Sequence, residues 1–242
     1  MNLEKSLAVD PSLLFLESVD STNLELARSL KAAVKPDLFA VAAAEQTAGR
    51  GRLERSWVSE RGTSISLSVL LRPTPALEQG LVPLFVGSCV ARALSRITGK
   101  DAGVKWPNDV QIDGRKICGV LAELTDQGVI AGIGINLERQ HGAPDTACAV
   151  IDFASAGFDD VLAIVLAELR AGWLHWLSEG NDYALGLIGS TSVTVGKSVR
   201  AIMPSGQEVV GTAFSIEFDG RLRIEGSETN LVSAADIWHL RN

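Results

Sequence analysis

The chain reads as an α+β protein whose larger part interleaves strands with helices and whose C-terminal part is nearly all strand. Three observations carry this. At 242 residues with 46% hydrophobic residues, the chain can bury a sizeable core. From Leu13 to about Ser178, apolar or alternating runs separate stretches with helical spacing. Composition then changes near Gly189, after which five short strands fall within about fifty residues, the pattern of a small barrel or sandwich.

Leu13 to Glu17 is a short apolar strand, followed by the polar cluster Ser18 to Asn23. Thr22 with Glu25 three residues on fits a capping box, and Leu24, Ala27 and Leu30 line one face of the helix that follows. Capping alone accounts for Ser21, Thr22 and Asn23, although free N–H groups at a helix start also suit a polar ligand. Phe39 to Ala44 is a buried strand that runs into a Gly/Arg stretch. Beyond it, Ile65, Leu67, Val69 and Leu71 alternate with Ser64, Ser66 and Ser68, which predicts a half-buried strand. Pro83 suits the first turn of a helix to about Ile97, with Gly99 as its stop. Asp113-Gly114 is a two-residue hairpin signal between apolar runs and sets Lys116 at the start of the returning strand. Gly119 either admits a ligand close to that strand or marks a bulge. Val129 to Leu137 is a buried strand whose Gly132 and Gly134 leave room on one face. Residues 138–149 form a polar loop, either a flap or a plain connector. An acidic cap starts a long helix from Val161 to about Ser178. The closing strands are expected at Ser192 to Val195, Ser198 to Met203, Glu208 to Phe218, Arg221 to Glu225 and Asn230 to Ser233.

Charge and motifs exclude several function classes. The balance of 22 Lys+Arg against 29 Asp+Glu, net −7, leaves no broad basic surface for nucleic acid. The first sixteen residues do not form a signal peptide, and Glu168, Arg170 and His175 interrupt the apolar stretch from Val161 to Leu177, so a cytoplasmic location without a membrane span is expected. Cys89, Cys118 and Cys148 are odd in number and widely spaced, which suggests neither a disulfide framework nor a zinc site. There is no G-x-S-x-G, Walker A or dinucleotide fingerprint, and His141, His175 and His239 have no partner at a telling spacing.

What remains is cationic. Residues 50–61 hold four Arg and two Glu, a net +2 that leaves −9 for the rest of the chain. In Gly49-Arg50-Gly51-Arg52 the glycines let amide groups approach a ligand, and Arg50, Arg52 and Arg55 offer bidentate donors to carboxylate or phosphate. A solvated loop has the same composition. The second cationic set is Lys105-Trp106-Pro107-Asn108-Asp109 with Lys116, suited to anions and, at Asp109, to magnesium. Together they suit stabilisation of negative charge developing on a phosphate or acyl phosphate, with no general base required.

The set Ser21-Thr22-Asn23, Gln46 to Arg52, Lys105 to Asp109, Arg115-Lys116 with Gly119 and Glu123, and Gly132 to Asn136 resembles biotin-protein ligase in order and spacing. The resemblance implies a class II aminoacyl-tRNA-synthetase-like catalytic domain over 1–189, a mixed sheet flanked by helices, and an SH3-like module over 190–242. It implies that biotin carboxylate attacks the α-phosphate of MgATP to give biotinoyl-5'-AMP, and that a carrier-domain lysine takes the biotinoyl group. By the same resemblance Ser21, Thr22, Asn23 and Gln46 contact biotin. Gly49, Arg50, Gly51 and Arg52 form the loop over the adenylate, with Arg50, Arg52 and Lys116 catalytic, and Gly119 and Gly132 flank the biotin pocket. Arg55, Trp57, Asn108, Asp109 and Asn136 lie on the ATP side, Asp109 as the candidate metal contact. Glu54 departs from the family's usual loop glycine. The motif Ser21-Thr22-Asn23 begins too early for a preceding helix-turn-helix, so a monomeric ligase without specific DNA binding is expected. The alternatives are a lipoate- or octanoate-protein ligase and a non-catalytic biotin-adenylate sensor.

Overall fold

A computed structural model describes residues 1–52, 55–140, 142–233 and 235–240; Glu54 and His141 lie outside the described residues. The elements are, in order, α1 (Glu4–Val9), β1 (Leu14–Leu16), α2 (Thr22–Ala32), β2 (Ala40–Ala43), β3 (Ser64–Leu71), α3 (Val82–Thr98), β4 (Ala102–Lys105), β5 (Asp109–Ile112), β6 (Arg115–Thr125) and β7 (Gly128–Asn136). They continue with α4 (Phe158–Glu179), α5 (Asn181–Thr191), β8 (Ser198–Ile202), β9 (Glu208–Ile216), β10 (Leu222–Glu225), β11 (Thr229–Val232) and β12 (Asp236–His239).

Seven strands form a mixed sheet in the order β1-β2-β3-β7-β6-β5-β4, parallel only at β1–β2. Helices α3, α4 and α5 stack on one face, where Phe85 packs between Trp173 and Trp176 at ring separations of 6.3 and 4.5 Å. By length and composition alone, Gln79–Thr98 and Phe158–Glu179 would suffice to cross a membrane. Here α3 and α4 instead pack on each other, with Glu168 bound to Arg96 at 2.5 Å. Helix α2 covers the other face through Leu26 and Leu30, which pack with Val41, Leu70 and Ile130.

Because both faces are covered, all eight residues of β3 are buried, and the expected half-exposed strand is corrected. Its serines face polar protein rather than water: Ser64 and Ser66 bond Ser59, and Ser68 bonds Thr22 and Asn23. Alternation reports two unlike faces, and here the polar face meets other polar groups. The capping box is corrected too. Ser21 is the N-cap but makes no side-chain capping bond, and Glu25 pairs with Arg28 instead.

The helix from Pro83 to its left-handed stop at Gly99 is as expected. So is the Asp113-Gly114 turn, with both φ values positive at 51° and 73°. At the end of the 138–149 loop, Lys116 N–H donates to Thr146 O, and Cys148 N–H donates to Lys116 O at 2.8 Å, which ties residues 146–148 to the start of β6. Helices α1 and α5 were not foreseen.

The second sheet is antiparallel, in the order β11-β10-β9-β8-β12. Residues 192–195 are turn rather than strand, and the fifth strand is β12. Thr194 is buried in that turn and accepts from the Trp106 N–H, while Trp106 Nε1 donates to Gly220 O at 3.0 Å. These bonds seat the second sheet against the β4–β5 turn. The expected boundary after residue 189 falls in the last turn of α5.

Candidate active site

A cleft of about 460 Å³ opens where the start of α2, the Gly/Arg loop, the β4–β5 turn, β6, β7 and β12 converge. The Gly/Arg loop is a hairpin-like excursion: Trp57 N–H donates to Gly49 O at 2.9 Å and Gly51 N–H to Arg55 O at 2.6 Å. Its base is tied to residues 19–20 by Ala48 N–H to Asp20 O. A Cβ at Gly49 would lie 2.3 Å from Trp57 O, so the returning strand of the hairpin requires glycine there.

At one end the cleft is lined by neutral polar groups. Gln46 Oε1 accepts from the Thr22 backbone N–H at 2.8 Å and lies 3.1 Å from Thr22 Oγ1. Asn23 Nδ2 donates to Glu123 at 2.6 Å, and Glu123 also accepts from Arg50 at 2.8 Å. Gly132 is glycine because Asn23 occupies the space above it: a Cβ would lie 2.4 Å from Asn23 Oδ1. Gly134 is glycine for the Trp57 indole, which a Cβ would meet at 2.3 Å. The room foreseen on β7 is thus filled by two side chains.

The middle of the cleft is cationic. Lys116 Nζ sits 2.6 Å from Asp109 Oδ1 and 5.6 Å from the centre of the Trp57 ring. Gly119 lies beneath both, with its virtual Cβ 3.3 Å from Lys116 and from Trp57. Arg52 bonds Asn108 at 3.3 Å, and Asn108 donates to Val120 O. Burial pushes the pKa of Arg52 down and nearby Asp109 and Asp236 oppose that; the same balance holds for Lys105. Arg55 reaches β12 and pairs with Asp236 at 2.6 Å. Four cationic side chains therefore surround two carboxylates, an arrangement that can take up a further anion.

A second cavity of about 410 Å³ lies behind Trp57. It is lined by Asn136 and by residues 138–140, 142–145 and 147–148, and it shares Ser56, Trp57 and Lys116 with the first. Lys116 thus stands on the wall common to two cavities. Its backbone is clamped by Thr146 and Cys148, which fixes its position. Trp57 Nε1 is buried here without a hydrogen-bond partner among the described residues.

The profile of the biotin/lipoate A/B protein ligase family matches residues 15–139. The chain belongs to that family. It is 34% identical to the biotin–[acetyl-CoA-carboxylase] ligase of Mycobacterium tuberculosis, over 91% of this chain and 86% of that one. It is 30% identical to the bifunctional ligase/repressor BirA of Bacillus subtilis, over 92% and 71%. Among solved structures it is similar to the Aquifex aeolicus biotin protein ligase in complex with biotin and ATP, with a TM-score of 0.78 at 29% identity over 95% and 99% of the two chains.

In this biotin/lipoate ligase chain the structure gathers nearly every residue singled out in the sequence. Ser21, Thr22, Asn23, Gln46, Arg50, Gly51, Arg52, Arg55, Trp57, Asn108, Asp109, Lys116, Gly119 and Gly132 line the first cleft. Gly49 is not part of that lining, and Asn136 lines the second cavity, donating to Cys148 O at 3.0 Å. Asp109, the candidate magnesium contact, is engaged by Lys116. Sequence reasoning gave no role to Glu123 and missed Asp236 and Trp238 of β12, which reach the site only through the fold.

Proposed function

We propose that the chain is an ATP-dependent biotin–[acetyl-CoA-carboxylase] ligase that forms biotinoyl-5'-AMP and passes the biotinoyl group to a carrier-domain lysine. The observation that carries this is the position of Lys116 on the wall shared by two cavities, one headed by amide and hydroxyl groups and the other opening behind an indole. A two-substrate condensation needs such a wall: a cation there draws two anions together and stabilises the charge that develops as they react.

In this reading Ser21, Thr22, Asn23 and Gln46 hold the urea ring of biotin, whose valeryl chain runs past Gly119 and Gly132 toward Lys116. Arg55, Trp57, Asn108, Asp109 and Asn136 serve the ATP side, with magnesium arriving on the nucleotide and Asp109 near it. A carboxylate oxygen bonds to the α-phosphorus, the bond to the β-phosphate oxygen breaks, and pyrophosphate leaves while Lys116, Arg50 and Arg52 stabilise the added charge. The neutral ε-amine of the carrier lysine then attacks the acyl carbon, AMP departs with the oxygen that bound it, and the amine releases a proton. The loop over residues 49–52 keeps water from the mixed anhydride in the interval. The larger sheet with its helices is read as the class II synthetase-like unit over 1–189 and the second sheet as the SH3-like module over 190–242. The partner is the carrier domain of a carboxylase, met in the cytoplasm.

The test is pyrophosphate release by the purified protein with biotin, ATP and magnesium, followed by the mass of a carrier domain. Biotin-dependent release and addition of one biotinoyl group are expected. Release with lipoate or octanoate instead of biotin would make it a lipoate-type ligase, and a bound adenylate with an unmodified carrier would make it a sensor.

A further inference from the structure

Glu123 stands outside the cleft lining yet touches both halves of the machinery. Its Oε2 accepts from Asn23 Nδ2 at 2.6 Å and from Arg50 Nη2 at 2.8 Å. From Asn23 a chain of polar contacts runs inward: Asn23 Oδ1 lies 2.6 Å from Ser68 Oγ, Ser68 Oγ lies 2.7 Å from Thr22 Oγ1, and Thr22 meets Gln46 Oε1.

Both ends of this chain are pinned by groups that cannot reverse their sense. At one end the Thr22 backbone N–H only donates, which holds Gln46 with Oε1 inward and leaves its Nε2 as a donor. At the other end an ionised carboxylate only accepts, which holds Asn23 with Nδ2 toward Glu123 and Oδ1 toward Ser68. Ser68 therefore gives its one proton to Asn23. Thr22 then donates its own proton either to Ser68 or to Gln46.

We propose that Glu123 is a positioning residue that fixes the donor and acceptor sense of the groups reading the urea ring of biotin and, through Arg50, ties that reading to the loop over the reacting atoms. The inference rests on the biotin-ligase reading. A urea presents one acceptor and two donors, so a site of fixed sense discriminates where a site of free sense does not. Glu123 sits on β6 opposite Ile130 of β7, two rigid strands, so the anchor does not move with the loop.

Glu123→Gln tests this, because a glutamine fills the same space but can donate as well as accept, so the sense of the Asn23 amide is then held only by the long 3.5 Å contact of Nδ2 with Leu121 O. Biotin-dependent ATP–pyrophosphate exchange by the unaltered protein first establishes the parent reading; its absence would sink that reading, whatever the variants do. Given exchange, E123Q should raise the KM for biotin on the order of tenfold, the loss of one charge-assisted hydrogen bond, with the KM for ATP within about twofold. An unchanged biotin KM in E123Q, or an ATP KM raised as much as the biotin KM, overturns the proposal. If E123Q loses more than a few degrees of Tm, Glu123→Asp replaces it: a raised biotin KM with an unmoved ATP KM supports the role, and both moving together refutes it.

Discussion

Gly134→Ala probes the seat of Trp57. The new Cβ would stand 2.3 Å from Trp57 Cε2, 2.6 Å from Cζ2 and 2.7 Å from Nε1, whereas ordinary contact begins at 3.4 Å. The indole must therefore retreat by about 1.1 Å, the difference between the first and last of these distances. It has little freedom to do so: its own backbone is bound to Gly49 O, its ring edge touches the space over Gly119, and Lys116 lies on its face. Overpacking of this kind costs about 1–3 kcal/mol. At about 2–4 °C per kcal/mol for a chain of this size, Tm should fall by several degrees. Displacing the indole also disturbs Lys116, so biotin-dependent pyrophosphate release should slow. The decisive assay is a double-mutant cycle by thermal melting with Trp57→Ala. Once the indole is gone, G134A should cost less than about 0.5 kcal/mol. An equal loss of Tm in both backgrounds would refute the reasoning, because the cost would then lie in the β7 backbone.

Three further outcomes follow from the same geometry. Lys116→Ala should lower the adenylation rate by about 10²–10³-fold. Its Tm should change little, because the pair with Asp109 is about one-third exposed and such pairs contribute about 0–1 kcal/mol; unchanged turnover would remove Lys116 from its assigned role. Hydrogen bonds from Arg28 depress the Asp20 pKa from 3.8 to about 2, so its contribution to stability is present above pH 3.8 and disappears as pH falls through 2. Asp20→Asn should thus be slightly less stable than the parent at pH 7 and equal to it near pH 2, and a gap that widens on acidification would contradict the assignment. Cys89, Cys118 and Cys148 are free and buried, and burial raises the pKa of each thiol. Iodoacetamide at pH 8 should leave them unlabelled in the native protein and label all three after denaturation; rapid native labelling would disprove their burial.

Local signals made much of this molecule legible. Pro83 and Gly99 bracket α3, and Asp113-Gly114 turns β5 into β6, because each needs only its own backbone preference. The glycines of β7 announced that something packs above them. What packs there, Asn23 and Trp57, comes from chain segments over seventy residues away. Distance in sequence also hid the rest: Arg55 meets Asp236 across 181 positions, and Arg50 meets Glu123 across 73. The serines of β3 misled for a different reason, since alternation reads the same whether the polar face meets water or a ring of hydroxyls and amides. The polar start of α2 reads as a cap in the sequence, yet Ser21 makes no side-chain capping bond and Thr22 and Asn23 turn to Gln46, Ser68 and Glu123 instead.

The most direct test of the acyl-adenylate account follows an oxygen atom. Biotin carrying heavy oxygen in its carboxylate is turned over with ATP and a carrier domain, and the products are weighed by mass spectrometry. If that carboxylate attacks the α-phosphorus beside Lys116, one labelled oxygen leaves in AMP and none in pyrophosphate. Label in inorganic phosphate or pyrophosphate, or AMP without label, would contradict the account.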